Sequence, residues 1–243
     1  MLLRESGKRT FLQDRQLGSS LALVAGALNS AGFLSVGYYC ANMTGNISML
    51  ASASLQGKVD VALMAGSVVL CFWFGALLCT LLVNRGRHKG LGAVYAYSIL
   101  LEAFILVLLG LAQLFWFSPA GQVMVAPLVL AFLMGMQNAT VTRISGAVVR
   151  TTHVTGMITD LGIEMADWLT SFSQPQDAEK HQKMQKRLWL HSQIIVCFIL
   201  GSALGVYIYT AWPEYFLLGA GGVLACLALP GVFINMRKSS SKN

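Results

Sequence analysis

Charge is what this chain has least of: Asp, Glu, Lys and Arg make up 11% of its 243 residues, against 56% hydrophobic residues. A soluble domain carries about twice that charge fraction. The apolar residues also fall in long blocks rather than alternating, which excludes a water-soluble globule. Enzyme signatures are missing too. His88, His153, His181 and His191 show no metal-ligand spacing with a third ligand. No HExxH, GxSxG, Walker A or strand–turn–helix GxGxxG pattern occurs. The cysteines Cys40, Cys71, Cys79, Cys197 and Cys226 contain no CxxC and sit in or beside apolar blocks, so they read as small core residues, not as disulfides or a metal site. These absences argue against an enzyme and against any cofactor or metal.

What the chain does have is five charge-poor blocks, at 16–57, 61–84, 90–142 (broken only by Glu102), 188–213 and 215–236. A helical span needs about 20 apolar residues. The blocks predict six spans, at about 18–39, 61–83, 91–114, 122–141, 189–211 and 214–235. Little polypeptide is left outside a bilayer, so residues 1–243 read as a single membrane domain with basic tails at 1–17 and 236–243. The N-terminal apolar run is too long for a signal sequence and reads as an uncleaved first span.

The net charge of +7 does not point to nucleic acid. Every Lys and Arg except Lys58 falls in four places: before span one, between spans two and three, between spans four and five, or after span six. Six spans with both termini in the cytoplasm satisfy the positive-inside rule. The basicity is topological, and the bilayer is the expected partner.

One motif occurs twice. Thr44-Gly45-Asn46-Ile47-Ser48 and the residues up to Ala51 recur as Thr155-Gly156-Met157-Ile158-Thr159 and the residues up to Gly162, 111 positions later. Upstream of each copy lies a Gly-x-x-Asn element, Gly26–Asn29 and Gly135–Asn138. The stretch 43–57 is too short for a crossing, and a crossing there would move Arg85, Arg87 and Lys89 outside. It reads as a re-entrant or interfacial half-helix, matched by 156–170 after the fourth span. The expected fold is therefore all-α. Two inverted-topology repeats of three spans, at about 18–114 and 122–235, each carry a half-helix after the first span.

In both copies Thr precedes Gly where a helix begins. A Thr cap and a glycine-bared backbone would leave free N–H groups at the positive end of a helix dipole, suited to a polar or anionic group. The substrate-binding candidates are Asn29, Asn42, Thr44, Gly45, Asn46, Ser48, Asn138, Thr155, Gly156 and Thr159. Asn29 and Asn138 could each line a central site or tie their span to the adjacent half-helix. Glu102, alone near the middle of a span, is a candidate for proton or cation coupling. Asp160 is a second coupling candidate. With Glu164, Asp167 and Ser171 it lines one helix face, which would suit either a solvated stripe or a reach into the centre. Arg143 and Arg150 are candidates for attracting an anion, though cytoplasmic flank charges need no such role. Gly219-Ala220-Gly221-Gly222 reads as close helix packing.

Three stretches, Asn42–Asn46, Gly135–Ala139 and Val149–Leu161 (VRTTHVTGMITDL), resemble the YoaK-like family of small bacterial inner-membrane proteins, a domain of unknown function. The resemblance spans essentially the whole chain. It implies a six-span protein of the bacterial inner membrane and implies no substrate. The residues themselves favour a small secondary transporter or channel for a polar or anionic solute. The alternative is a non-transporting scaffold, assembly or regulatory protein. A transporter requires Thr44 and Thr155 close together on one polar cavity, and a scaffold leaves them apart. The sequence leaves a homodimer open.

Overall fold

The computed structural model describes residues 2, 10–116, 119–171 and 178–240. Arg4, Lys8, Arg9 and Lys242 of the basic flanks, and Pro175 of the polar stretch, lie outside the described residues. Among the described residues the elements are all helices: α1 (Phe11–Val36), α2 (Met43–Leu55), α3 (Val59–His88), α4 (Val94–Phe115), α5 (Pro119–Ser145), α6 (Val154–Ser171), α7 (Ala178–Ala211) and α8 (Pro213–Ser240). Six of them, α1, α3, α4, α5, α7 and α8, are long and apolar enough to cross a membrane. The short helices α2 and α6, of 13 and 18 residues, follow the first and the fourth.

Three boundaries differ from those read in the sequence. α1 begins at Phe11, inside the stretch read as a tail, because Thr10 and Gln13 form a capping box: the Gln13 N–H donates to the Thr10 hydroxyl and the Thr10 N–H to the Gln13 side chain. Leu17 is fully buried there. α8 continues to Ser240, through the basic residues read as the other tail. α7 begins at Ala178, so much of the stretch read as polar connection is helix, with Lys183 and Glu179 paired one turn apart at 2.7 Å. Hydropathy marks where a helix enters lipid and is blind to helical turns that extend into water.

Local chemistry sets the other ends. Gly37, at φ 75°, closes α1 in the left-handed conformation that a side chain disfavours, with its N–H on the Phe33 carbonyl at 2.8 Å. α3 ends on Arg85, Arg87 and His88, where cations meet the negative end of the helix dipole.

The helices pair as α1 with α7, α3 with α5 and α4 with α8, while α2 lies on α3, α6 lies on α7, and α1 meets α5. The buried share of the apolar window is 61% for α1 and 56% for α5, but 22% for α3 and 17% for α7. The first two therefore form the centre and the second two the rim. Leu63, Leu70, Trp73 and Phe74 on α3, and Val196, Ile199, Leu200 and Tyr207 on α7, are exposed. Each such side chain left in water forgoes about 1.5–3 kcal/mol of burial, and lipid contact removes that cost.

Backbone approaches backbone where the helices pair. A Cβ added at Gly26 would fall onto the Phe198 carbonyl oxygen, and one at Gly201 onto that of Leu23. The α3–α5 pair does the same, with Gly75 against the Phe132 carbonyl oxygen and Gly135 against that of Phe72. Between α4 and α8, Gly110 meets Leu218 and Gly221 meets Ala103 and Val107. Gly219 and Gly222 face open space, so of that glycine cluster only Gly221 serves close packing. Small residues let helices approach in this way where lipid offers no hydrophobic drive.

Gly135→Ala and Gly201→Ala should each cost about 1–3 kcal/mol or more through overpacking. Gly222→Ala should be neutral or mildly stabilising, since alanine is the better helix former by about 0.5–1 kcal/mol. Thermal melting in detergent checks the contrast; equal melting of all three variants would mean that the paired helices do not touch at these positions.

Candidate functional site

The site is built where the chain leaves α1 and α5 and turns back. After Gly37 the segment 37–42 folds against α1, and Asn29 catches it: its Oδ1 accepts the Ala41 N–H at 2.9 Å. Asn46 donates its Nδ2 to the Tyr39 carbonyl at 2.9 Å, and the Tyr39 ring stacks on Phe33 with centroids 4.2 Å apart. After α5, the Ser145 hydroxyl accepts the Val149 N–H at 3.1 Å. Asn138 donates its Nδ2 to the Met134 carbonyl at 2.8 Å and accepts the Thr152 hydroxyl on its Oδ1 at 2.8 Å. Each intramembrane asparagine therefore ties its own span to the following segment, and each also lines a cavity.

Thr44 does not cap α2. The cap is Asn42, whose Oδ1 accepts the Gly45 N–H at 3.1 Å, leaving Thr44 in the first turn. α6 likewise begins at Val154, which makes Thr155 its second residue. The glycines also have a different reason from the one expected. A Cβ at Gly45 would lie 2.7 Å from Asn42 Nδ2, and one at Gly156 would overlap the His153 ring. The group that needs the bare backbone is the chain's own side chain three residues back, not a solute.

The helix starts open onto a cavity of about 620 Å³. Its wall draws on both junctions: Asn29, Tyr39, Ala41, Asn42, Met43 and Thr44 from α1 through the start of α2, and Asn138, Thr142, Arg150, Thr152, His153, Val154 and Thr155 from α5 through the start of α6. Phe72 of α3 and Phe198 of α7 complete it. Of the candidates read from sequence, Asn29, Asn42, Thr44, Asn138, Thr155 and Arg150 come together here. Gly45, Asn46, Ser48, Gly156 and Thr159 do not line the cavity. Asn46 is buried against the Tyr39 carbonyl, and the Thr159 hydroxyl turns back to the Thr155 carbonyl.

The charged candidates separate. Arg150 is on the wall, with its Nη1 3.1 Å from His153 Nδ1. Arginine can only donate, so His153 Nδ1 must accept and its Nε2 carries the proton. Arg143 instead donates to Asn84 Oδ1 at 3.0 Å, away from the wall. Asp160 does not reach the central cavity. With Glu164 and Asp167 it lines a neighbouring cleft of about 430 Å³ that also includes Arg150, Arg187 and His191. The acidic face of α6 is therefore partly engaged, not simply solvated: Glu164 pairs with His191 at 3.0 Å, and Ser171 lies 3.1 Å from His181 Nδ1.

Glu102 is fully buried between α4 and α5, where its Oε1 accepts from Gln137 Nε2 at 3.1 Å. One turn along, Ser98, Thr140 and Cys79 form a closed polar triangle with separations of 2.8–3.2 Å. None of these five residues lines the cavity.

Sequence reasoning missed Tyr39, Phe72, Thr142, Thr152, His153 and Phe198. The signal for His153 was available, since it stands 111 positions after Asn42, the same offset as Thr155 from Thr44. Phe72 and Phe198 lie on apolar faces and carry no polar signature.

Six apolar helices around a polar cavity at two interrupted helix junctions define a multi-pass integral membrane protein. The chain belongs to the family described as "Protein of unknown function (DUF1275)", which it matches over residues 17–229. It is 31% identical over 147 residues to the UPF0700 transmembrane protein YoaK of Bacillus subtilis (strain 168), an overlap covering 59% of this chain and 63% of that one. No solved structure matches it.

Asn42→Ala should remove the α2 cap and cost about 1 kcal/mol, while Asn42→Ser, which keeps a side-chain acceptor, should cost little. The two melting curves in detergent check this, and identical losses would show that the cap does not hold the helix start.

Proposed function

We propose that this protein is a small secondary transporter or channel for a polar or anionic solute in a bacterial inner membrane, and that it is not an enzyme. The observation that carries the reading is the cavity wall, in which residues from the two halves contribute equivalent positions around one space. A scaffold has no need of Thr44 and Thr155 on a common polar surface.

The helix contacts support two related halves. Exchanging α1–α4 for α5–α8 turns α1–α7 into α5–α3, α2–α3 into α6–α7, α4–α5 into α8–α1 and α3–α4 into α7–α8, and all of these contacts occur. The glycine contacts follow the same exchange, Gly26 on Phe198 corresponding to Gly135 on Phe72. In this reading each half has three spans, the halves run in opposite directions, and α2 and α6 are half-helices that start at the cavity and end at opposite faces. At about 1.5 Å rise per residue, Asn29 and Asn138 each lie about 10 Å short of the end of their helix, which suits a cavity near mid-depth. Lys58, the lone basic residue on its side, follows α2 at the outer face, and both termini are cytoplasmic. Glu102 and Asp160 are the coupling candidates. Glu102 has the stronger case, because a fully buried acid in a span is costly and is retained chiefly where it works.

Purified protein in liposomes, followed by osmotic swelling in isosmotic panels of small neutral solutes and ammonium salts of small anions, tests the reading. The wild type should admit at least one class faster than protein-free vesicles, and Thr44→Val with Thr155→Val should abolish the gain while inserting normally. No gain for any solute removes the transport reading, and normal swelling of the double variant removes the site. Glu102→Gln should flatten the pH dependence of the flux, and an unchanged profile would acquit Glu102. In a background without native cysteines, Lys58→Cys should react with an impermeant maleimide from outside and His88→Cys only from inside. The reverse pattern removes the inverted topology.

A further inference from the structure

We infer that the cavity takes an organic carboxylate anion, held by its charged end at Arg150 and His153 with its apolar part between Phe72 and Phe198. This rests on the reading of the cavity as a solute site.

The hydrogen-bond bookkeeping of the wall points to an acceptor as ligand. Three asparagines line it, and the protein uses the carbonyl oxygen of all three: Asn29 for the Ala41 N–H, Asn42 for the Gly45 N–H and Asn138 for the Thr152 hydroxyl. For Asn29 and Asn42 the partner is a backbone N–H, which can only donate, so the orientation of each amide is determined. Asn29, at 8% exposure, commits only its Oδ1 to the described residues, which leaves its Nδ2 donors for the cavity it lines. His153, fixed by Arg150 as the tautomer that accepts at Nδ1, keeps its Nε2–H as a further donor. With each asparagine oxygen already engaged, the Asn29 amide, the His153 Nε2–H and the Arg150 guanidinium are donors, and the wall hydroxyls can donate as well, which suits an anionic oxygen.

Charge gives the same answer. Among the described residues Arg150 is the one Lys or Arg on the wall, and no described Asp or Glu lines it. Asp160, Glu164 and Asp167 line the neighbouring cleft, which shares Arg150 and adds Arg187. One permanent cation on the wall matches a monoanion better than a dianion. Arg150 and His153 replace Tyr39 and Asn42 of the first half, so the positive end of the cavity belongs to the second half alone and orients the ligand.

Size and polarity separate an organic anion from an inorganic one. About 620 Å³ is more than a small oxoanion fills, and Phe72, Phe198, Met43 and Val154 add apolar surface to the wall. A carboxylate with a short apolar body uses both.

The test is ligand stabilisation of the detergent-solubilised wild type, at ionic strength matched with chloride, by butyrate, acetate, butyramide, nitrate and phosphate. Butyrate should raise the melting temperature in a saturable way, acetate less, and butyramide, nitrate and phosphate little. Arg150→Gln should weaken butyrate at least about tenfold, the scale of one lost charge-assisted hydrogen bond. The inference is overturned if butyramide matches butyrate, if nitrate or phosphate does so, if no compound stabilises the protein, or if Arg150→Gln binds butyrate as the wild type does. Should Arg150→Gln fail to fold, the butyrate–butyramide comparison on the wild type decides alone. Butyrate binding without any swelling response would keep this inference and remove the transport reading. Swelling with neutral solutes, without carboxylate binding, would do the opposite.

Discussion

Two backbone segments, 37–42 and 146–153, leave helical hydrogen bonding beside the apolar helices of a membrane protein, and the need to satisfy their polar groups organises what surrounds them. A buried N–H without a partner costs about 1–3 kcal/mol and more in hydrocarbon. In the first segment the Ala41 N–H, the Tyr39 carbonyl and the α2 start are served by Asn29, Asn46 and Asn42. In the second, Ser145 and Asn138 play the corresponding parts. Irregular backbone in a membrane protein is tolerated where protein or a cavity wall satisfies it, and here the side chains that satisfy it are largely the ones that form the wall.

The Gly-x-x-Asn element joins this constraint to packing. Residues three apart share a helix face, so the glycine that lets α1 rest on the α7 backbone aims Asn29 at the returning segment, and Gly135 does the same for Asn138 against α3. The contact is carbonyl against Cα, with no side chain able to give way. Close packing of the helix pairs and placement of the amides thus go together at both α1 and α5.

The two junctions that line the cavity differ in chemistry. Where the connection after α1 presents Tyr39 and Asn42, the one after α5 presents Arg150 and His153. Around α4 and α5, Glu102, Gln137, Ser98, Thr140 and Cys79 form a buried polar cluster. The positions in α1 and α7 that answer to Gln137, Thr140 and Cys79 at the same offsets are Leu28, Ala31 and Gly205, none with a polar side chain. The two sides of the site therefore differ in charge and polarity.

By itself the sequence determined the membrane class, the six spans and the two short helices, because those depend on local quantities: runs of apolar residues, the scarcity of charge and the placement of lysine and arginine. It also singled out Asn29, Thr44, Asn138, Thr155 and Arg150, since a repeated motif and a polar group in an apolar run are visible along one dimension. It misjudged the helix ends at Phe11, Ala178 and Ser240, where water-exposed turns carry no hydropathy signal. It also gave Thr44 a cap that Asn42 makes. Only the tertiary structure decided which of these residues share a space. That Phe72 and Phe198 close the cavity, that Asp160 faces a different cleft, and that Gly45 and Gly156 make room for the chain's own side chains all follow from how distant helices cross. Crossing is set by backbone contacts between residues up to 178 positions apart, such as Gly205 on Ala27, and no local pattern encodes them.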